Sequence, residues 1–530
     1  MTVVDLGRDD TRALGAYYTP SAAARLMAEW TVAGDGTHVL EPSMGEGVFL
    51  RAIIDVCQDR DYRSVQLSGV EYVKETFEKV VAGALIGRDR AFHSDFLAVT
   101  PFAVDAIVGN PPYVRLRHLP ESEARRALTV AQSVLGQPMD PSGSVWMPFV
   151  LHATRFLRSG GRLALVLPYD FTYVRYARPL WRYLGDNFAA LRLVRVRERI
   201  FSDILQDVVL LFADGFGGST TCVDFDAFET NAELICQAPF GSATVEVADI
   251  EIGERPFMEA LLPAELRSLL HGRLNELTVE LGSLARFNIG YVSGDKTFFH
   301  PSPDRIERHA LPASALRPAV TSARRVRGSG IFTSGLPPAS KSWLFLPPRG
   351  PLSESESAYV DVGERDKVNS RYKCRVRTPW WIVPYVATPD LIVSVFSEDP
   401  IMLCNDAHLS ASNSLLCGYV HAGVDPHKLV AAWYTPLTAL QRELQVHALG
   451  GGVFVLVPNE ISRIRVPHLR RNLSLARLDR AVRAWDMRAA YSWGRAAVLS
   501  AAMGLGPHEL DLIESGRDVL ARWRKSASIP

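Results

Sequence analysis

An α/β fold built on a doubly wound, mostly parallel sheet is what this sequence predicts, and two observations carry it. Short apolar or β-rich runs at 38–42, 65–72, 91–96, 105–110, 161–168, 191–198 and 207–214 alternate with helical segments; strands alternating with helices give a parallel sheet covered on both faces. Glycine turns and chemistry-bearing side chains follow directly after the runs, at the carboxyl ends of strands, where such sheets bind ligands. Seven runs imply a Rossmann-like, seven-stranded sheet.

Each helix has its own signal. Residues 21–30 are alanine-rich, 48–56 follow a pair of glycines, and 73–85 and 145–158 carry apolar residues at helical spacing. GFGGST at 215–220 is a turn or linker, with a further strand or two around 221–228. From about residue 246 the rhythm changes to irregular short strands and many prolines, which predicts a mixed, β-rich second domain. From about Leu469 the chain is rich in Ala, Arg and Leu and helical through Trp523. The expected division is therefore 1–245, 246–468 and a helical segment 469–530.

Composition narrows the function classes. A chain of 530 residues accommodates two to four domains at about 100–200 residues each. The formal net charge is zero, so a surface for a polyanion must be a local basic patch balanced by acidic surface elsewhere. No run approaches the roughly 20 apolar residues that span a bilayer, and the first residues lack the basic-then-apolar pattern of a secretion signal. The six cysteines are scattered without a C-x-x-C pair, which argues against a disulfide framework and a zinc site. A cytoplasmic protein without a metal is the expectation.

The first chemical motif is EPSMGEGVFL, 41–50. Gly45 and Gly47 allow a tight turn into the following helix and a close backbone approach to a ligand. A dehydrogenase fingerprint would place a third glycine where Leu50 stands. Glu41 also repels a pyrophosphate but suits a ligand bearing an amino group. Glu71, in GVEY, ends the next strand and can accept hydrogen bonds from ribose hydroxyls. Asp95, in HSDFL, ends the third strand and can accept from an adenine amino group, with Phe96 covering the ring. Any one of these residues could be plain turn punctuation or a solvated carboxylate. Three acids at three successive strand ends describe one pocket for an adenosine that carries an amino acid.

Asn110-Pro111-Pro112-Tyr113 follows the fourth strand. The N6 lone pair of adenine is delocalised into the ring and is a poor nucleophile. The Asn110 side-chain oxygen and the Pro111 carbonyl, aimed at the two N6 hydrogens, would draw the nitrogen toward tetrahedral geometry. That is preorganised electrostatic stabilisation. Consecutive prolines hold the acceptors in place, and Tyr113 offers a ring to a base flipped from the duplex.

With these motifs in order, the chain resembles the gamma-class, TaqI-like adenine-N6 DNA methyltransferases. EPSMGEGVF, GVEY, HSDFL and NPPY are similar to the family's successive cofactor and catalytic motifs, and SMGEG departs from the Ala-Cys pair that many relatives carry. The resemblance implies S-adenosyl-L-methionine as cofactor, held by Tyr18, Thr19 and Pro20 of GAYYTP, by Glu41, Pro42, Ser43, Gly45 and Gly47, and by Glu71, Asp95, Phe96, Asn110 and Phe149. It implies catalysis by Asn110, Pro111, Pro112 and Tyr113, with Phe201 of IFSDILQDVVLLFAD stacking on the other face of the flipped adenine. NIGYVSGDKTFF, RYKCRVRTPWW, ASNSL and GGGVFVLVPNEISRIRVP resemble its target-recognition domain.

Double-stranded DNA is then the expected partner. A strand period of two in RYKCRVR would place Arg371, Lys373, Arg375 and Arg377 on one face, where they could track phosphates. Trp380 and Trp381 follow, and Arg115 and Arg117 lie just past the NPPY loop. The expected product is N6-methyladenine at a specific site, in a bacterial or archaeal cell, in restriction-modification or phage defence. A restriction endonuclease or other defence subunits would be separate chains, or absent. Two alternatives stand beside this reading: methylation of cytosine N4 or of RNA, and a catalytically inactive DNA-binding relative.

Overall fold

The computed structural model describes residues 21–198, 207–237, 239–253, 255–449 and 452–525. The chain divides after Leu261 into two compact units, the second running from Leu262 to Arg524.

The first unit is built on one large sheet. Its strands are β1 (His38–Glu41), β2 (Gln66–Glu71), β3 (Ala91–His93), β4 (Val104–Gly109), β5 (Leu157–Pro168), β6 (Phe188–Val196), β7 (Val208–Phe216), β8 (Cys222–Phe228) and β9 (Gly241–Glu246). They lie in the order β3-β2-β1-β4-β5-β7-β6-β8-β9. Pairing is parallel from β3 through β5 and between β6 and β8, while β7 runs antiparallel to both its neighbours and β9 to β8. The expected seven strands are thus nine among the described residues. Cys222–Phe228 registers beside β6, and Gly241–Glu246 folds back on it. Phe257, beyond β9, packs near Trp181 and Phe225 at 5.5 and 5.4 Å, so the chain past residue 245 still belongs to this unit.

The helices α1 (Ser21–Thr31) and α2 (Val48–Asp59) show why the sheet is covered. Ala24, Met27 and Ala28 on α1 and Phe49, Ile53 and Val56 on α2 recur at three- and four-residue spacing. They bury with Val39, Ala106, Val108, Ala164 and Val166 of the central strands. Leu163–Leu167 of β5 is wholly buried, as expected for a strand covered on both faces. The order reverses between β1 and β4, which makes their carboxyl ends the switch point of the sheet.

The second unit is mixed, with more helix than the expected β-rich domain. Its largest sheet is four-stranded and antiparallel, in the order Ala285–Ile289, Leu415–Val420, Leu391–Ser394 and Met402–Cys404. At Gly290 a Cβ atom would lie 2.2 Å from the Ala411 carbonyl oxygen and 2.3 Å from that of Ser412. Backbone cannot swing aside as a side chain can. Gly290→Ala should therefore destabilise this unit by about 3 kcal/mol, the upper end of ordinary overpacking costs. An unchanged melting temperature would contradict that placement. The helices Ala476–Arg483, Met487–Trp493 and Pro507–Arg524 close the unit. Arg524 of the last helix makes a bidentate pair with Glu443 of Pro436–Gln445 at 2.8 and 3.0 Å, and both side chains are more than nine-tenths buried. No described helix is long and apolar enough to cross a membrane.

Candidate active site

The parallel half of the sheet arranges the chemistry in a row. Reading across β3, β2, β1 and β4, the carboxyl ends present Asp95, Glu71, Glu41 and Asn110 in that order.

The turn after β1 is shaped by glycine. Gly45 and Gly47 have φ values of +51° and +78°, the left-handed region that L side chains avoid. A Cβ at Gly45 would meet nothing within 4 Å, so the turn opens to space there. Gly47 precedes the first residue of α2, and the helix N-terminus favours a polar or anionic ligand group near the turn. Gly109, at the end of β4, allows a second close approach, since its Cβ would lie 3.2 Å from Pro42 Cδ. Ser43 Oγ donates to the Asn110 carbonyl at 2.9 Å. The two candidate loops are therefore fixed to each other at the switch point.

Glu71 is buried, and its two oxygens accept from the Gly45 and Val73 N–H groups, each at 2.8 Å. Burial raises its carboxyl above the ordinary range, and these backbone donors oppose the rise. Glu41 is 1% exposed, and its Oε2 has no hydrogen-bond partner. Burial first, and the nearby Glu71 second, hold its carboxyl well above the usual range. A buried carboxyl with a spare acceptor is costly unless something cationic or hydrogen-bonding completes it.

Asp95 lies two residues past the end of β3. It accepts from Leu97 N–H at 3.0 Å, capping a single helical turn, and is ion-paired with Arg126. Its carboxylate keeps lone pairs for a further donor. Phe96 and Phe149 pack together at 4.6 Å between ring centroids, with His152 and Phe156 beside them. Both are buried, at 3% and 5% exposure. Phe96 directly follows Asp95, so the buried aromatic cluster anchors the Asp95 turn.

In the NPPY loop Pro111 is buried, and Pro112 and Tyr113 are half-buried. The Tyr113 hydroxyl donates to the Val166 carbonyl on β5 at 3.0 Å, which anchors the ring from its far end. The chain just beyond is clamped as well. Val114 O accepts from Ser144 Oγ at 2.7 Å and from Val145 N–H at 2.8 Å. Arg115 reaches back over the Tyr176 ring at 5.8 Å and stands 3.9 Å from Asp170, while Arg117 is exposed.

Sequence reasoning missed Arg126, Asp170 and Tyr176. Asp170 sits two residues past β5, so the strand-end rule that found the other acids could have found it. Burial raises its carboxyl, and Arg115 opposes the rise. Tyr18, Thr19, Pro20 and Phe201 lie outside the described residues.

In the second unit the expected cationic strand does not exist. Tyr372–Arg375 is a single helical turn. Its one apolar inward position, Cys374, is fully buried in a cluster with Phe298, Tyr359 and Val383, and that burial selects the turn over an alternating strand. Arg371 pairs with Asp295, and Arg377 donates to the Ser293 and Val292 carbonyls at 2.8 and 2.6 Å. Lys373 and Arg375 are exposed. Trp380 and Trp381 pack against the same cluster, and Trp380 Nε1 donates to Glu364 at 3.1 Å.

Comparison with known proteins adds to this geometry. Residues 3–178 match the family model described as N-6 DNA Methylase, and residues 254–499 match that of the Type II methyltransferase M.Eco57I, C-terminal domain. The chain is 21% identical to the Type II methyltransferase M.AccI of Acinetobacter calcoaceticus over 468 residues, 84% of each chain. It is 22% identical to M.XamI of Xanthomonas campestris pv. amaranthicola over 486 residues, 88% of this chain and 87% of that one. Among solved structures, a nuclease-deletion mutant of the Type ISP restriction-modification enzyme LlaGI in complex with a DNA substrate mimic shares the fold. Its TM-score is 0.50 at 10% identity, over 90% of this chain and 47% of that one.

Proposed function

The chain belongs to the N-6 DNA methylase family and is a DNA methyltransferase, and from that premise we propose that it transfers a methyl group from S-adenosyl-L-methionine to N6 of an adenine flipped out of double-stranded DNA. The observation that carries this reading is the row of Asp95, Glu71, Glu41 and Asn110 across four adjacent strand ends. A restriction-modification role, with a separate endonuclease, is the setting its Type II relatives suggest.

The residues present fit the cofactor. The spare, buried Glu41 oxygen suits the ammonium of a methionine moiety, and the open turn at Gly45 admits its backbone. Glu71 has acceptor capacity for ribose hydroxyls, and Asp95 for the adenine amino group. When bound, S-adenosyl-L-methionine supplies an electrophilic methyl on its sulfonium. Everything else falls to the chain. The NPPY loop presents the Asn110 side-chain oxygen and the Pro111 carbonyl to the target amine. Gly109, Pro42 and Ser43 hold those acceptors at the switch point. Tyr113, tied to Val166, offers a fixed ring to the flipped base, and such stacking is worth about 1–3 kcal/mol. The N6 proton lost on transfer passes to solvent. Phe201 would cover the other face of the base. Arg115, Arg117 and the cations Arg371, Lys373, Arg375 and Arg377, with Trp380 and Trp381, are proposed as contributors to DNA binding, the exposed Lys373 and Arg375 as direct phosphate contacts.

Mass spectrometry of nucleosides from DNA incubated with the protein and labelled cofactor tests the reaction. N6-methyladenine is the expected product; N4-methylcytosine, or label in RNA alone, overturns the proposal. Asp95→Ala should weaken cofactor binding by about 1–3 kcal/mol through loss of a hydrogen bond in a desolvated pocket. Calorimetry on the folded variant measures this, and an unchanged affinity would remove Asp95 from the site.

A further inference from the structure

The basic stretch of the second unit holds an arrangement that the strand reading could not show. From Lys367 to Pro389 the chain carries five basic residues and no acidic one, although the protein as a whole is neutral. The segment is pinned from within. Cys374, Ile382 and Val383 are buried, Val386 packs on the same cluster as Trp380 and Trp381, and Arg377 is held by two carbonyls. Aromatic and apolar side chains nevertheless point outward between the cations. Tyr372 and Val376 are each 64% exposed, and Lys373 and Arg375 stand 5.3 and 5.5 Å from the Tyr372 ring.

Tyr385 is the extreme case. At 96% it is the most exposed large hydrophobic side chain among the described residues. Its φ is +56°, a region that bulky residues rarely adopt. Buried Val383 on one side and packed Val386 on the other fix the backbone, so the ring is held out on a rigid stem. Backbone strain of this kind persists where surrounding structure enforces it, commonly at ligand-contacting sites. Interleaved cations and exposed rings match the chemistry of a nucleic acid, since cations meet phosphates and a ring meets bases.

We propose that residues 367–385 form a duplex-DNA contact surface and that Tyr385 inserts into the base stack of the bound duplex. This rests on the methyltransferase reading above. Lys367, Lys373 and Arg375 hold the backbone, Tyr372 packs along the groove edge, and Tyr385 fills the step opened by unstacking, as apolar wedges do in proteins that kink DNA. Trp380 and Trp381 pack on the same buried cluster as Val383 and Val386.

The test uses the full chain. Methylated adenines in DNA from cells expressing it define the recognised sequence, and synthetic duplexes bearing that sequence serve as substrates. On an intact duplex, Tyr385→Ala should lower kcat/KM about 10- to 100-fold, the range that loss of one base-stacking contact implies. Cofactor affinity and melting temperature should stay unchanged. Tyr385→Phe should retain activity. On a duplex with an abasic site opposite the target adenine, extrusion is already cheap, and the gap between Tyr385→Ala and wild type should close to about threefold. An equal loss on both duplexes, or no loss on either, overturns the insertion role while leaving the methyltransferase reading intact. A wild-type protein that transfers no methyl to any DNA overturns both.

Discussion

Asn110→Ala should reduce methyl transfer by at least about 100- to 1,000-fold while cofactor and DNA affinities stay within about threefold of wild type. The magnitude is that of removing one preorganised polar group from a reacting centre. The binding steps are spared because this acceptor interacts most strongly once the amine has begun to pyramidalise, and an interaction made mainly in the transition state appears in kcat. The Asn110 backbone is held by Ser43, and its neighbour Pro111 is buried, so the loop should keep its course when the side chain is shortened. Single-turnover kinetics with labelled cofactor isolate the chemical step. A variant that transfers at the parental rate would falsify the catalytic assignment of the loop.

Glu41→Gln should do two opposite things at once. In the ligand-free protein the folded pKa of Glu41 lies above its ordinary value of about 4.5, through burial first and Glu71 second. The folded state therefore favours the protonated carboxyl. Its contribution to stability is complete below that ordinary value and is lost as pH rises through the raised one. Glutamine cannot ionise, so the variant should melt higher than wild type, by an amount that grows as pH climbs above that value. Each kcal/mol relieved corresponds to about 2–4 °C for a unit of this size. Cofactor binding should weaken about 10- to 100-fold, because a charge-assisted hydrogen bond to the ligand's ammonium is lost. A melting difference independent of pH would show that the carboxyl is not what burial makes it. An unchanged affinity would show that the ligand's amino group sits elsewhere.

The layout of the candidate site was legible because its polar residues stand at or just past strand ends. Glu41, Glu71 and Asn110 could be placed by finding where an apolar run stops, and the parallel order of β1, β2 and β4 then brings them side by side. Asp95 was found by the same rule, although β3 ends at His93 and the carboxylate caps a turn beyond it. What stayed hidden depends on partners distant in sequence. Arg377 looked like one of four cations on a strand face, but it is bonded to carbonyls at 292 and 293, and no local period reveals such a contact. The aromatic neighbours of Phe96 at 149, 152 and 156 likewise come from a helix and the approach to a strand much further along the chain, beyond the reach of any local pattern. The eighth strand was foreshadowed by the β-rich run after residue 221, while the ninth exists only because Gly241–Glu246 finds β8 to pair with.

The buried pair of Glu443 and Arg524 bears on how the chain is made. The guanidinium comes from the last turn of the closing helix, and Arg524 also donates to the Gly452 carbonyl. Until residue 524 has been added, Glu443 lacks its bidentate partner and is left with the charge of neighbouring Arg442, and a buried carboxylate stripped of its ion-pair partner costs about 3–5 kcal/mol. The second unit should therefore reach its full stability only after Arg524 has been added and Pro507–Arg524 can pack. Nascent chains arrested upstream should remain sensitive to protease across residues 436–445, and stop codons introduced within Pro507–Arg524 should behave as loss-of-function alleles even though every residue of the NPPY loop is intact.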